Sequence, residues 1–192
     1  YLGYIGASST SLLSIIDDVL DLATIDAGVM QLELSEVDIR AAIQAAVDAV
    51  RDRIAENQIR LETRIARDIG TFKADAQRIR QVLFNLLTNA IGFSDRGGLV
   101  VLDAAREGEE IIFKVRDQGR GIAPDLVGRM FERFETRTSG TRHRGAGLGL
   151  SIVQSFVHLH RGRIEVESAP GAGTQVKVSL PANLEDLSKA AE

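Results

Sequence analysis

"FNLLTNAIGFSDRGGLVVLDAAREGEEIIFKVRDQGRGI", residues 84–122, carries the end of a helix, a strand pair and a glycine-rich turn in one continuous run. The helix spans about 76–92, with Asp75 as its cap and Ile79, Leu83, Leu86 and Ala90 as its apolar stripe. "LVVLDAA" (99–105) and "EIIFKVRD" (110–117) then alternate as strands, and the "REGEE" between them suits a hairpin turn. A helix feeding directly into a hairpin predicts an antiparallel sheet with helices packed on it. Two asparagines, Asn85 and Asn89, interrupt the helix on its flank beside Arg78 and Gly92. Asparagine is a poor interior helix residue and is costly to bury unpaired, so this pair asks for a reason.

The pattern extends outward in both directions. "QLELSEV" (31–37) alternates as a strand, Asp38 can cap a helix, and Ile43, Val47, Val50 and Ile54 mark that helix's buried stripe. "IRLETRI" (59–65) alternates again. Beyond "DQGRGIAP" the sequence predicts a short helix near 124–134 and a polar, Arg-rich stretch over 135–144. "GAGLGLSIVQSFVHLH" reads as a helix opened by glycines and closed at Gly162, where a left-handed cap is easy. "RIEVES" and "TQVKVSL", joined by "APGAG", make a second strand pair. The fold class is therefore α+β: a mixed, largely antiparallel sheet with helices on one face, a two-layer sandwich. Ahead of it, Ile5, Ser9, Leu12, Ile16, Val19 and Ala23 form a bundle seam, with Asp17, Asp18 and Asp21 opposite and "DAG" (26–28) as the stop. One amphipathic helix cannot bury such a stripe alone, so it expects a partner helix or a second chain; packing on its own domain is the alternative.

Composition narrows the chemistry. The 192 residues are 44% hydrophobic and 26% charged with a net charge of -4, and they contain no dense basic block, which argues against nucleic acid as partner. The absence of cysteine removes disulfides, thiolate metal sites and thiol nucleophiles. No apolar run reaches membrane-spanning length, so no direct membrane contact is expected of this segment, which reads as a soluble piece of something longer. His158 and His160 lie two apart and would point to different sides of a helix, a poor metal pair.

Four short motifs remain. The amide oxygens of Asn85 and Asn89 are neutral hard donors suited to Mg²⁺, although neighbouring backbone could also satisfy them. In "DQGRGI", Asp117 can accept a hydrogen bond from an exocyclic amine while Gly119 and Gly121 admit a ring or phosphate; a plain turn is the alternative. "GAGLGL" sets Gly145, Gly147 and Gly149 at a helix entrance suited to polyphosphate, without the GK[ST] of a P-loop. "GAGT" (171–174), taken alone, is a hairpin turn.

In order and spacing, "NLLTNA", "DQGRGI", "MFERF", "GAGLGLSIV" and "GAGT" resemble the N, G1, F, G2 and G3 boxes of the catalytic ATP-binding domain of sensor histidine kinases, a fold shared with gyrase, Hsp90 and MutL. The resemblance covers about residues 30–181, and residues 1–28 resemble the second helix of the dimerisation and phosphotransfer bundle. The implied organisation is bundle helix 1–28, catalytic domain 29–181 and tail 182–192. It implies Asn89 as the Mg²⁺ ligand and Asn85 as the catalytic-position residue near the phosphates. It further implies Asp117 as the adenine reader, with Gly119, Gly121 and Thr174 shaping that end. The ATP lid would span 135–144, with Arg142 and Arg144 facing nucleotide and Gly145, Gly147, Leu148 and Gly149 at its hinge. ATP and Mg²⁺ are the implied cofactors. A homodimer through the bundle helix, a response-regulator receiver and a cytoplasmic position, with a parent that can be membrane-anchored, complete the expectation.

The chain departs from the family's pattern in places. The basic residue usually found three after the magnesium asparagine is Gly92, the usual Thr or Ser inside G2 is Ala146, and the usual aromatic after the G3 threonine is Val176. The H-E-x-R-T-P-like phosphoacceptor motif of the bundle's first helix does not occur in these residues. Two functions follow: phosphoryl transfer to a bundle side chain, or a pseudokinase scaffold that keeps the fold and reads protein partners. An ATP-hydrolysing domain is disfavoured, because Asn85 stands where those relatives carry a glutamate base.

Overall fold

Asp75 starts the central helix as its position predicts. Its Oδ1 accepts the N–H groups of Gln77 and Arg78 at 3.0 and 3.1 Å, opening α4 (Ala76–Phe93). In the computed structural model, which describes residues 2–133 and 147–184 and only the backbone of residues 2–12 and 14, this helix organises the domain. Asp75 Oδ2 also accepts from Glu33 N–H at 3.1 Å, which ties the incoming chain to the helix start.

Five strands form the main sheet: β2 (Arg60–Ile65), β4 (Leu99–Glu107), β5 (Glu110–Asp117), β6 (Arg163–Ser168) and β7 (Thr174–Pro181), in spatial order β2-β4-β5-β7-β6. Three of the pairings are antiparallel and β2 runs parallel to β4. Alternation decides which side faces the helices. Val100, Leu102 and Ala104 of β4, with Ile111, Phe113 and Val115 of β5, are buried in the core, while Asp103 and Lys114 lie cross-strand on the other face. α4 sits between α2 (Ile39–Ala49) and α6 (Gly149–Leu159), burying Val82, Leu83, Leu86 and Leu87.

Several elements differ from the sequence reading. The first strand, β1, covers only Leu34–Asp38 and pairs with β3 (Thr71–Asp75) in a separate two-stranded sheet; β3 itself has too short an alternation to register as a strand. The stripe through Val50 is real, since Val50 is fully buried, but the helix is not continuous. α2 stops at Ala49 and α3 (Arg51–Asn57) starts after Val50, whose φ of -101° and ψ of 6° break the run. At the end of α6 the left-handed residue is Arg161, at φ 53°, and not Gly162. Gly162 is needed for space: a Cβ there would stand 2.5 Å from Ser179 O. The expected helix near 124–134 is α5 (Pro124–Val127) followed by a 3₁₀ turn, Gly128–Phe131.

α1 (Leu2–Asp26) ends at Gly28, which takes the left-handed cap conformation at φ 66°. Its acidic side faces the domain. Arg78 Nη1 of α4 meets Asp21 Oδ2 at 2.7 Å, Gln81 Nε2 donates to Asp18 Oδ1 at 3.2 Å, and both nitrogens of Arg133 pair with Asp26 at 2.6 Å. Leu22 is buried, whereas Leu13, Ile16, Val19 and Leu20, on the seam side, are 43–60% exposed. Among the described residues no helix is long and apolar enough to cross a membrane.

Candidate functional site

β5 delivers Asp117 to its carboxyl end, where the sheet meets the "GRGI" turn and the β6–β7 hairpin. The carboxylate is buried at 6% exposure. One oxygen, Oδ1, accepts two backbone N–H groups, from Gly119 at 2.8 Å and from Thr174 at 3.2 Å. Burial pushes the Asp117 carboxyl above the usual carboxylate range, opposed by those two donors. With Oδ1 committed, Oδ2 takes no hydrogen bond from the described residues and is the oxygen left for a ligand.

The turns around Asp117 require glycine. Gly121 lies at φ 66°, and a Cβ on it would fall 1.9 Å from Ala169 O; Gly173 lies at φ 79°, and a Cβ there would fall 2.1 Å from Asp117 O. The "GAGT" segment, a bare hairpin turn when read by itself, is therefore packed directly onto the backbone of the acid it follows in space. Ser168, at the end of β6, joins the two turns. Its Oγ accepts Ile122 N–H at 2.8 Å and lies 3.0 Å from Gly173 O and 2.9 Å from Thr174 Oγ1.

On the other side of the site, α4 presents Asn85 and Asn89 one turn apart, both half-buried. The Asn85 Nδ2 atom is buried and has no hydrogen-bond partner among the described residues. Gly149, the first residue of α6, lies against it: a Cβ built there would stand 3.4 Å from Asn85 Oδ1. The structure thus brings Asn85 of one helix to the entrance of the next, where unsatisfied N–H groups favour anions. Gly147 takes a left-handed φ of 70° just before this entrance. Leu148 has its side chain in the core at 1% exposure, and its carbonyl accepts from Ile152 N–H and Ser151 Oγ, so only its backbone N–H could serve a ligand. Arg142, Arg144 and Gly145, with Ala146 and the 135–144 lid, lie outside the described residues.

Sequence reasoning missed Ser168, a serine at a strand end with no local pattern, and Arg78, read only as a flank residue. Arg78 joins three helices: it pairs with Asp21 of α1 and stacks 4.9 Å over the Phe156 ring of α6. His160, weighed and set aside as a metal ligand, has a structural task. Its Nδ1 donates to Phe156 O at 2.7 Å and its Nε2 accepts Asp75 N–H at 3.1 Å, which fixes the neutral tautomer and pins α6 to the start of α4.

An acid with one committed oxygen, two glycine-tight turns and a buried amide without a partner all fall between Asn85 and Thr174. The family model for histidine kinase-, DNA gyrase B- and HSP90-like ATPases matches residues 74–184, the span that holds all of these groups. The chain belongs to this ATPase family. An uncharacterized sensor-like histidine kinase of Rhizobium meliloti is 39% identical over 195 residues, covering 100% of this chain and 36% of that protein. The sensor protein DivL of Caulobacter vibrioides is 35% identical over 91% of this chain and 22% of its own length. Among solved structures, full-length ShkA in complex with AMPPNP matches with a TM-score of 0.80 at 33% identity, over 93% of this chain and 38% of that one. The chain spans well under half the length of each of these proteins. Family membership, the α+β fold and the antiparallel character of the sheet agree with the reading of the five boxes.

Proposed function

We propose that the chain is the ATP-binding catalytic part of a two-component sensor histidine kinase, joined to the second helix of its dimerisation bundle. The observation that carries this reading is the buried, unpartnered Nδ2 of Asn85, a residue whose amide oxygen lies against Gly149. A buried donor left unmade costs about 1–3 kcal/mol, and a phosphate oxygen at the α6 entrance would satisfy it. Asp117 Oδ2 would accept the adenine amine at the opposite end. Asn89, one turn from Asn85, would offer its amide oxygen to Mg²⁺, which when bound would neutralise charge on the phosphates. An amide at position 85 cannot take a proton from water, which supports transfer of the γ-phosphoryl to a side chain of the bundle over hydrolysis. The exposed Leu13, Ile16, Val19 and Leu20 would face the rest of the bundle in a homodimer, and a response-regulator receiver would collect the phosphoryl group in the cytoplasm.

Gly92 supports a second reading, a pseudokinase scaffold, because it leaves the phosphate side of α4 without the family's usual cation. Calorimetric titration of ADP and ATP, with and without Mg²⁺, separates the two. Wild type should bind both nucleotides; Asp117→Asn should weaken binding by at least about tenfold, the worth of a charge-assisted hydrogen bond. Asn89→Ala should abolish the gain from Mg²⁺. No binding at about millimolar nucleotide, a free energy near -4 kcal/mol, would sink the kinase reading and leave the scaffold.

A further inference from the structure

α4 and α6 run side by side in opposite directions and touch at three levels. At one end His160 Nε2 accepts Asp75 N–H at 3.1 Å. One turn on, the Arg78 guanidinium lies 4.9 Å over the Phe156 ring. Two turns beyond Arg78, about 10 Å further along the axis, Asn85 Oδ1 lies against Gly149 at the entrance of α6. The His160 bond and the Arg78 stack set the angle at which α6 leaves its pin, and the anion end of the site lies at the far end of that lever. Arg78 holds its place with help from α1. Its side chain is only 19% exposed, and its charge is met by Asp21 Oδ2 at 2.7 Å, itself 16% exposed. Gln81 Oε1 accepts from the same Nη1 at 3.3 Å, while the Gln81 amide donates to Asp18 and Asp21. A mostly buried guanidinium stripped of its carboxylate is costly and turns toward water, so the stack over Phe156 lasts only while α1 stays docked.

We infer that Arg78 is a positioning residue that couples docking of α1 to the anion end of the site, so that the docked helix raises affinity for nucleotide and bound nucleotide tightens the docking. The inference rests on the reading of this pocket as a nucleotide site and adds its control. Arg78 acts through α6, from a place two turns away from Asn85, with its guanidinium committed to Asp21, Gln81 and Phe156. With α1 in place, the spacing of Asn85 and Gly149 is set before a ligand arrives, and the ligand spares the cost of ordering the two helices. Such a coupling is an equilibrium property and runs in both directions by the same factor. Displacement of α1 therefore lowers nucleotide occupancy, and loss of nucleotide loosens the helix.

Two measurements on the whole chain test this: Kd for ADP by calorimetry, and hydrogen exchange of the Asp17–Asp26 amides with and without saturating ADP, with thermal unfolding of each variant as a folding check. In wild type, ADP should raise the protection of those amides by about fivefold or more, the low end of measured couplings between sites. Arg78→Ala should weaken ADP by the same factor and abolish the ADP-dependent gain in protection. A merely structural arginine would instead lower protection equally with and without ADP. Asp21→Ala should reproduce both effects from the α1 side and add nothing in the Arg78→Ala background, because both act through one guanidinium. Arg78→Lys keeps the charge for Asp21 but lacks the planar stack, so α1 should still dock while ADP stays weakened and the gain stays lost. Should Arg78→Ala fail to fold, Asp21→Ala and Arg78→Lys decide the matter, and a full ADP-dependent gain in either overturns the inference. Wild type that binds ADP with no change in α1 protection overturns it as well. If wild type binds no ADP, the nucleotide reading itself has failed and the inference falls with it.

Discussion

At the scale of single residues, polar groups at helix ends settle how the elements meet. His160 is fully buried, and desolvation pushes its pKa below the ordinary 6.5, against the pull of Phe156 O and of the Asp75 carboxylate. A depressed folded-state pKa means that the neutral ring contributes stability in full above pH 6.5, and this is lost as pH falls through the lower folded value. Urea unfolding of wild type should accordingly show stability declining on the acid side of 6.5. Glutamine at 160 keeps a donor and an acceptor but does not titrate. His160→Gln should cost about 1–3 kcal/mol near neutrality and remove that part of the slope. An unchanged acid slope in His160→Gln would show that the ring is not its source.

Among elements, the packed turns and the α1 contact are the most constrained. Gly121→Ala forces a Cβ to within 1.9 Å of Ala169 O at a left-handed backbone position, so the two turns must move apart. We expect a loss of about 2 kcal/mol or more in urea unfolding, with nucleotide affinity falling further than stability because Thr174 shifts against Asp117. The α1 contact should respond to pH through Asp18. Burial, the largest cause, raises its pKa from 3.8 to about 6, with Asp21 and Asp17 adding to it and the Gln81 amide opposing. A raised folded-state pKa places the stabilising, protonated form at low pH: docking of α1 is strongest below 3.8 and weakens as pH rises through about 6. Hydrogen exchange of the Asp17–Asp26 amides, corrected for intrinsic rates, should show protection falling between about pH 5 and 7 in wild type. Asp18→Asn should remove that dependence and Arg78→Ala should lower protection throughout, since it strands the mostly buried Asp21 carboxylate. Identical pH profiles for wild type and Asp18→Asn would rule Asp18 out.

For the whole molecule, legibility followed the range of the interactions. The strand alternation of residues 99–117, the Asp75 cap and the glycine stop at 28 are local signals, and each element stands where the sequence predicts. The five boxes pointed to the family because their order along the chain is itself information. What sequence could not yield is pairing across distance: β2 lies parallel to β4, and β3 finds β1, although neither choice leaves a mark in alternation. Ser168, Arg78 and His160 stayed hidden for the same reason, since their partners lie 46, 57 and 85 residues away. The uncovered seam of α1 also belongs to this scale. Leu13, Ile16, Val19 and Leu20 should drive concentration-dependent self-association, visible by sedimentation, and Ile16→Asp with Leu20→Asp should leave a monomer. A wild-type monomer at high concentration would count against the bundle reading.

The contacts of Asp18, Asp21 and Asp26 bear on how such proteins can be recombined. A splice placed in the 28–33 linker looks neutral because no regular element is cut, yet it would part these acids from Arg78, Gln81 and Arg133. A chimera that grafts a foreign helix onto this domain should therefore fold best when the last turns of α1 travel with the recipient, leaving the junction upstream of Asp17.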